Sequence, residues 1–276
     1  MTAVPESIAP RISPSISSTS AADLTSPAQA ATPVTNATRV QRVRHELKRR
    51  EVVVARVEAI SPHFRSVTFA GETLADFLSA SFDDHVKFML DVPGGERVMR
   101  DYTPRRFDAA KRELTLEFAL HGEGPAANWA RHAKPGDRAT IGGPRGSFII
   151  PTDYAWHLLV GDETALPAIA RRLEELPPDA QVMVLVHTDD PADQRVFNRA
   201  PQTRVQWLAS SEQLTDAVRA LALPPGEGYA WCAGEARVVA QLRSLLVAEK
   251  GHDRHAIRAA AYWKQGAVAH HENLEG

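Results

Sequence analysis

The sequence predicts two folds in succession, a small antiparallel β-barrel followed by a doubly wound α/β domain. Between residues 51 and 141, short runs rich in β-branched and aromatic residues are separated by turn signals, which is typical of a barrel. Beyond Pro151, apolar strand-like runs alternate with helical patterns, which is typical of a parallel sheet covered by helices. We therefore expect the barrel over residues 39–151 and the α/β domain over residues 152–276, with the segment after Lys264 as a short C-terminal extension.

The barrel prediction is based on runs that alternate or are rich in β-forming residues. Residues 114–120 alternate apolar and polar side chains, as expected for a strand with one buried face. A Pro135-Gly136-Asp137 turn precedes another such run. The predicted strands are 52–57, 64–69, 85–90, 114–120 and 138–141.

The α/β prediction begins at residues 156–160, an apolar run that reads as a buried strand. A helix follows, with Thr164 as its predicted cap and Pro167 in its first turn, where a missing N–H costs little. A Ser210…Gln213 capping box predicts another helix over 212–221. The remaining elements are strands 182–186, 205–208, 229–233 and 257–263, and a helix over 235–250 ended by Gly251.

Composition narrows the class of protein. Acidic residues number 34 and basic residues 32, so no strong overall charge favours binding to nucleic acid. The single cysteine, Cys232, fits a reducing compartment, and no segment resembles a secretory signal or a membrane span. Residues 1–38 are rich in Ser, Thr, Ala and Pro and are predicted to be disordered. These features predict a cytoplasmic protein, and a monomer because no apolar surface stripe is evident.

Three motifs, separated by strand-like runs, carry the chemistry. Arg100-Asp101-Tyr102-Thr103-Pro104 suits a flavin, because the Tyr ring can cover an isoalloxazine, the Thr hydroxyl can bond its edge and the Arg can pair with a pyrophosphate. His121-Gly122 then begins a small-residue run through Ala127 that offers backbone N–H groups to a phosphate at a helix start. Gly142-Gly143-Pro144-Arg145-Gly146-Ser147-Phe148 is the third motif.

In this order and spacing, the three motifs resemble those of the siderophore-interacting protein family, flavin-dependent ferric-siderophore reductases of the ferredoxin-reductase superfamily. The resemblance covers about Val43 to His271 and implies that the barrel binds FAD. Two residues have structural alternatives: Trp129 as a core residue, and His121 as a solvated strand end. The FAD-binding residues that the resemblance implies are Arg100, Tyr102, Thr103, His121, Gly122, Gly124, Pro125, Ala126, Ala127 and Trp129.

The first strand-to-helix turn of the α/β domain is the predicted nicotinamide side. Ligands of open α/β sheets bind at the carboxyl ends of strands, although this turn lacks G-x-G-x-x-G. The alternative is that Glu163 and Thr164 only cap the helix. The family carries a similar Asp-Glu-Thr-Ala pattern at this turn, and a second strand-to-helix turn lies at residues 231–235. The residues that the resemblance implies on the nicotinamide side are Asp162, Glu163, Thr164, Ala165 and Gly234.

The residues that follow the second strand of the α/β domain bear on the choice of electron donor. His187-Thr188-Asp189-Asp190 follows the second strand, where carboxylates would repel the 2′-phosphate of NADPH, although Arg195 could compensate. The pattern therefore favours NADH over NADPH, and some similar chains accept electrons from a ferredoxin instead.

Three cations match family positions that line the opening over the flavin: Lys87, Arg145 and Lys264. Ferric siderophores are commonly anionic, so a cationic pocket can bind them without coordinating the iron. The alternative is three unrelated surface cations. No metal-ligand cluster is evident, since His270-His271-Glu272 lies near the terminus and other histidine pairs are isolated.

The predicted activity is transfer of electrons from NAD(P)H, or a ferredoxin, through FAD to a ferric siderophore, with release of Fe(II). Two alternatives stay open at this point. One is a general flavin or ferredoxin-type reductase, and the other is a siderophore-binding module without reductase activity.

Overall fold

The computed structural model describes residues 39–91, 97–197, 203–266 and 272–273. The predicted N-terminal tail, and the C-terminal extension apart from Gln265, Gly266 and the backbone of 272–273, lie outside the described residues.

The N-terminal half is built from nine strands, all paired antiparallel. Seven of them form one sheet in the order β5-β4-β8-β2-β3-β7-β6, and β1 pairs separately with β9. The strands are β1 (Gln41–Arg44), β2 (Arg49–Ser61), β3 (Phe64–Ala70), β4 (Val86–Leu90), β5 (Val98–Tyr102), β6 (Arg106–Asp108), β7 (Glu113–Ala119), β8 (Arg138–Gly142) and β9 (Gly146–Ile149).

The seven-stranded sheet encloses one apolar core. On β7, Leu114, Leu116 and Phe118 are fully buried, as the alternation of this segment predicts. Helix α1 (Pro125–His132) contributes Trp129, whose ring lies 4.8 Å from that of Phe88. The structure therefore places Trp129 in packing contact with the barrel core, which is the alternative considered for this residue.

The C-terminal half is a parallel sheet in the order β12-β11-β10-β13-β14, with the short β15 added antiparallel at its edge. This strand order is that of a doubly wound fold. The sheet grows from β10 to β12 toward one edge and from β13 to β14 toward the other, so the point where the strand order switches lies between the parallel strands β10 and β13. The elements are β10 (Trp156–Gly161), α2 (Leu166–Glu175), β11 (Val182–His187), β12 (Thr203–Leu208), α3 (Ser211–Ala220), β13 (Gly228–Glu235), α4 (Ala236–Ser244), β14 (Ile257–Trp263) and β15 (Glu272–Asn273), with a π-helical turn at Leu245–Glu249.

Helices cover both faces of this sheet. Leu159 of β10 packs into a cluster with α2, whereas its neighbours Leu158 and Val160 pack into a cluster with α3 and α4. The cluster on the α2 side also contains Phe64 and Phe82 from the N-terminal half. The face covered by α2 is therefore the one that meets the N-terminal half.

A buried polar contact joins the two halves. Asp83 lies in the segment before β4, and its side chain is 2% exposed. Its Oδ1 accepts a hydrogen bond from the Trp231 indole at 2.9 Å, and its Oδ2 accepts one from Nε of Arg258 at 2.8 Å. Because β13 and β14 supply both donors, this carboxylate sets the position of the parallel sheet against the barrel.

Two predicted caps differ in detail from the structure. Thr164 does not cap the helix; Asp162 caps the short 3-10 turn at Glu163–Ala165 that leads into α2, and its Oδ1 accepts a hydrogen bond from the backbone N–H of Thr164 at 2.9 Å. Ser210 caps α3 as predicted, but the Gln213 side chain accepts from Ala209 instead of closing a box on Ser210. Among the described helices, none is both long and apolar enough to cross a membrane.

Candidate active site

A cavity of about 410 Å³ lies between the two halves of the protein. The barrel lines it with the end of β5, the end of β7 with the loop that follows, and the start of α1. The α/β half closes it with the first strand-to-helix turn and the end of β14. The predicted site residues that line it are Lys87, Arg100, Tyr102, Thr103, His121, Gly124, Ala126, Ala127 and Thr164. The predicted residues outside its lining are Gly122, Pro125, Trp129, Arg145, Asp162, Glu163, Ala165, Gly234 and Lys264.

Tyr102 and Thr103 stand where β5 ends at the cavity. The Tyr102 ring packs 4.3 Å from that of Phe118, which fixes its plane against the barrel core. Burial raises the pKa of the Tyr102 hydroxyl, so this group stays neutral at physiological pH. The Thr103 side chain shares a hydrogen bond with Tyr262, which reaches the cavity from β14. The motif therefore presents an aromatic ring and a hydroxyl in a fixed arrangement.

The start of α1 forms an open cradle. Gly124 is its N-cap residue and makes no side-chain cap, so the N–H groups of the first turn face the cavity without a protein acceptor from that residue. A Cβ at Gly122 or Gly124 would meet nothing within 4 Å, so the space before the helix is open. Arg131 holds this loop by donating to the carbonyl oxygens of Leu120 at 2.5 Å and Gly122 at 2.7 Å.

FAD fits these residues. The open cradle at the helix start suits its pyrophosphate, and the neutral Tyr102 ring suits its flat apolar ring system. The Arg100 guanidinium lines the same cavity and donates to the carbonyl oxygen of Met99 at 2.8 Å, which leaves other N–H groups for an anion. Aromatic and small residues thus lie on one side of the cavity, with the uncapped start of α1 and the Arg100 guanidinium beside them.

On the opposite wall, Asp162 organises the predicted nicotinamide side. Its Oδ1 receives the Thr164 N–H and hydroxyl, and its Oδ2 receives the Glu235 N–H at 2.9 Å and the Trp263 indole N–H at 2.8 Å. Gly234 has φ +143°, and a Cβ there would collide with this carboxylate. Burial raises the pKa of Asp162. The buried Asp162 carboxylate therefore connects the turn after β10 and the end of β13 with the end of β14.

Glu163 and Ala165 lie directly behind the cavity wall. Ala165 is fully buried beneath the turn. The Glu163 side chain is 10% exposed and lies 3.5 Å from Nε2 of His121. Burial, and then the neighbouring Asp162, raise the pKa of Glu163 to about 7. This carboxyl is therefore close to half-protonated at neutral pH.

The three predicted cations are not gathered inside the cavity. Lys87 lines it, and its ammonium donates to Asp101 at 2.7 Å. Arg145 is exposed in the turn between β8 and β9, and this turn follows Gly142, the last residue of β8 and the register partner of Lys87. Lys264 is exposed just beyond β14 and lies outside the lining. Arg145 is therefore close in the fold to Lys87, whereas Lys264 follows the strand that carries Trp263.

Several residues at the site were not predicted. Tyr262 and Trp263 line the cavity, and an aromatic pair at the end of the last parallel strand was the available signal. Glu117 also lines it, held between Arg105 at 3.1 Å and Arg195 at 2.5 Å. Arg195, the candidate partner for a 2′-phosphate, therefore faces the barrel carboxylate. No local pattern marks Glu117, because its partners come from distant segments.

Comparisons with known proteins agree with this geometry. A family model described as "Siderophore-interacting FAD-binding domain" matches residues 53–98 and 91–148, and one described as "Siderophore-interacting protein" matches residues 154–266. An "NADPH-dependent ferric-chelate reductase" of Escherichia coli is 40% identical over 245 residues, which cover 81% of this chain and 96% of that one. A "Ferric vibriobactin reductase" of Vibrio cholerae is 32% identical, over 79% of this chain and 90% of that one.

Solved structures extend the comparison. A siderophore utilization protein from T. fusca superposes with a TM-score of 0.78 at 34% identity, covering 84% of this chain and 98% of that one. A cytochrome P450 reductase from Amycolatopsis has a TM-score of 0.61 at 18% identity, covering 77% of this chain and 69% of that one, which shows a shared fold only. The chain therefore belongs to the siderophore-interacting protein family, with the FAD-binding domain of that family in its N-terminal half.

Proposed function

We propose that the protein is a cytoplasmic reductase that passes electrons from NAD(P)H through FAD to iron(III) held in a siderophore, releasing iron(II). The observation that carries the proposal is the single cavity shared by the FAD-type cradle and the nicotinamide-side turn, with Lys87 in its lining. The names of relatives as ferric-chelate and ferric vibriobactin reductases support the same substrate class.

The residues of the chain divide the work of holding FAD. Backbone N–H groups at Ala126 and Ala127 would receive the pyrophosphate, together with Arg100. Tyr102 and Thr103 would orient the ring system from the barrel side. When bound, FAD accepts two electrons from a nicotinamide and passes them on singly. Trp263 and Tyr262 close the cavity from the opposite side and limit the access of water.

Lys87 is the residue that we assign to the chelate. Its side chain is 48% exposed, so an incoming anion can reach the ammonium without entering the barrel core. Asp101 holds the ammonium at this position by an ion pair of 2.7 Å. Arg145, on the adjacent turn, would extend the positive surface, and we assign Lys264 to its outer edge.

For the donor, two observations favour different nucleotides. His187 and Asp189 form a close pair of 3.1 Å at the end of β11, and a carboxylate beyond this strand would repel the 2′-phosphate of NADPH and so supports NADH. The Escherichia coli relative is named as NADPH-dependent. We infer that NADH binds more tightly to this chain, and a ferredoxin is the third donor to compare.

The test is anaerobic absorbance of the FAD-loaded protein, with NADH, then NADPH, then ferric siderophore added in turn. Bleaching by a nicotinamide and recovery with the chelate, with iron(II) trapped by a ferrous dye, would support the reductase. A flavin that no nicotinamide bleaches, but that recovers with chelate after chemical reduction, would assign the donor role to a ferredoxin. A flavin that never recovers with chelate would contradict the proposal and leave a binding module.

Lys87→Ala tests the substrate assignment in the same assay. We expect the KM for an anionic chelate to rise about three- to tenfold, because a charge-assisted contact is lost. Lys111→Ala is the matched control, since this lysine is paired with Asp108 and lies outside the cavity lining. Equal losses for neutral and anionic acceptors would instead favour a general flavin reductase.

A further inference from the structure

The proposed reaction releases a proton that the cavity must accept. A hydride brings two electrons and one proton, and two ferric ions each take one electron. The balance is H⁻ + 2 Fe³⁺ → H⁺ + 2 Fe²⁺. The following inference rests on the proposed function, because it concerns the fate of that proton.

Most of the acidic groups that line the cavity are committed to cations. Glu117 lies between the guanidinium groups of Arg105 and Arg195. Asp101 receives the ammonium of Lys87. His85 and His121 are the two imidazoles of the described lining. Of these, His121 stands two residues after the end of β7 and has a carboxyl behind it.

The pairing of His121 with Glu163 crosses the boundary between the two halves. Nε2 of His121 lies 3.5 Å from Oε1 of Glu163, and the other carboxyl oxygen, Oε2, is buried without a hydrogen-bond partner. The His121 side chain is 37% exposed, whereas that of Glu163 is 10% exposed. The His121 ring at the cavity therefore lies against the buried carboxyl of Glu163.

Charged and aromatic groups from both halves surround this pair. His63 stacks on His121 with ring centroids 5.9 Å apart, and its Nδ1 lies 2.9 Å from Asp193 and 3.7 Å from Asp190. On the other side, Asp162 and Asp189 act on Glu163. Ser61 donates to the same Asp193, which keeps that carboxylate in place. The α/β elements packed here therefore bring carboxylates to the pair, and they also bring the Arg195 guanidinium, which lies 5.0 Å over the Phe64 ring that packs against His121.

We propose that His121 is the base that accepts the proton released in the cavity, and that Glu163 is the positioning residue that stabilises the resulting imidazolium. The His121 side chain is 37% exposed, so it then releases the proton directly to water. The step moves one proton from the cavity to His121 and on to water, and no further reactant is required.

The first measurement uses the FAD-free protein. We expect NMR titration of the His121 ring in Glu163→Gln to show a midpoint lower by about one pH unit than in the wild type, because an adjacent negative charge is lost. His132→Gln is the control, since this exposed histidine at the end of α1 bonds to the carbonyl oxygen of Asn128. An unchanged midpoint in Glu163→Gln would contradict the positioning role.

The second measurement follows reoxidation of chemically reduced, FAD-loaded protein by ferric citrate and, separately, by ferricyanide. The wild-type rate should rise with pH through the His121 midpoint, and Glu163→Gln should shift that profile downward by the amount seen in the NMR titration. His121→Gln should slow the rate about 100-fold and flatten the profile. The proposal would be overturned if Glu163→Gln moves the NMR midpoint but leaves the pH dependence of the reoxidation rate unchanged. This comparison does not need His121→Gln, so it holds even if that variant fails to bind FAD.

The two acceptors separate this inference from the proposed function. Reoxidation by ferricyanide with the His121-dependent profile, but none by ferric citrate or by a ferric siderophore, would refute the reductase assignment and leave the proton role intact. Reoxidation by both acceptors without that profile would refute the proton role alone.

Discussion

The indole N–H of Trp263 donates to Oδ2 of Asp162 at 2.8 Å, across 101 residues of sequence. This bond ties the end of the last long strand to the first strand-to-helix turn. Because Trp263 also lines the cavity, the bond fixes the position of the wall formed by the end of β14 relative to the nicotinamide side.

Trp263→Phe should therefore weaken both stability and nicotinamide binding. The change keeps an aromatic ring and removes one donor, so we expect a loss of about 1 kcal/mol in the free energy of unfolding. Urea unfolding and titration with NADH measure the two effects. Trp207→Phe, at a half-buried indole stacked on Phe197, is the matched control. Equal NADH affinity in wild type and Trp263→Phe would show that this wall does not support the nucleotide.

Asp83→Ala should be among the most destabilising single changes in the protein. It removes the acceptor of both Trp231 and Arg258 and leaves a buried guanidinium without its carboxylate, which costs about 3–5 kcal/mol. Thermal unfolding checks the prediction. Asp216→Ala breaks an exposed pair with Arg219 and should change stability by less than about 0.5 kcal/mol. Similar effects of the two substitutions would mean that the buried pair does not join the halves.

Gly234→Ala should damage the nicotinamide side through the backbone. The residue has φ +143°, and its new Cβ would collide with the Asp162 carboxylate, which three elements hold in place. We expect a loss of about 3 kcal/mol or more from the combined strain and collision. Gly136→Ala has φ +95° with nothing within 4 Å, so it should cost only about 1 kcal/mol. A comparable loss at both positions in chemical unfolding would argue against the collision.

Gly124→Asp should stabilise the FAD-free protein and weaken FAD binding. An aspartate at this N-cap can accept the free N–H groups of α1, which is worth about 1 kcal/mol, but its charge opposes the pyrophosphate. We expect a higher Tm without FAD and a Kd for FAD at least about tenfold weaker. Gly124→Ser caps without charge and separates the two effects. Unchanged FAD affinity in both variants would place the pyrophosphate elsewhere.

Glu163 should make stability depend on pH. Burial, and then Asp162, raise its pKa from the ordinary 4.5 to about 7, so protonation favours the folded state. This contribution is complete below pH 4.5 and is lost as the pH rises through about 7. In urea unfolding, Glu163→Gln should gain stability relative to wild type between about pH 5 and pH 8. Glu123→Gln, at an exposed position, is the control, and a difference that stays constant with pH would contradict the prediction.

Much of the architecture follows from local pattern. The alternation of Leu114, Leu116 and Phe118 predicted a strand with one buried face, and the apolar runs at β10, β11 and β13 predicted buried parallel strands. The helix after β10 was also predicted, but its cap was assigned to Thr164 instead of Asp162. Adjacent polar residues can exchange such roles, because the cap depends on the backbone angles of the turn.

The sequence by itself determined the strand and helix patterns, the open glycine cradle and the flavin-type motif, because hydrophobic period and backbone freedom are local properties. Only the tertiary structure decided which polar groups meet. The pairs Asp83–Arg258, Trp263–Asp162 and His121–Glu163 join segments that are remote along the chain. Their partners are set by how the two sheets pack against each other, and buried polar groups must find hydrogen bonds at that interface.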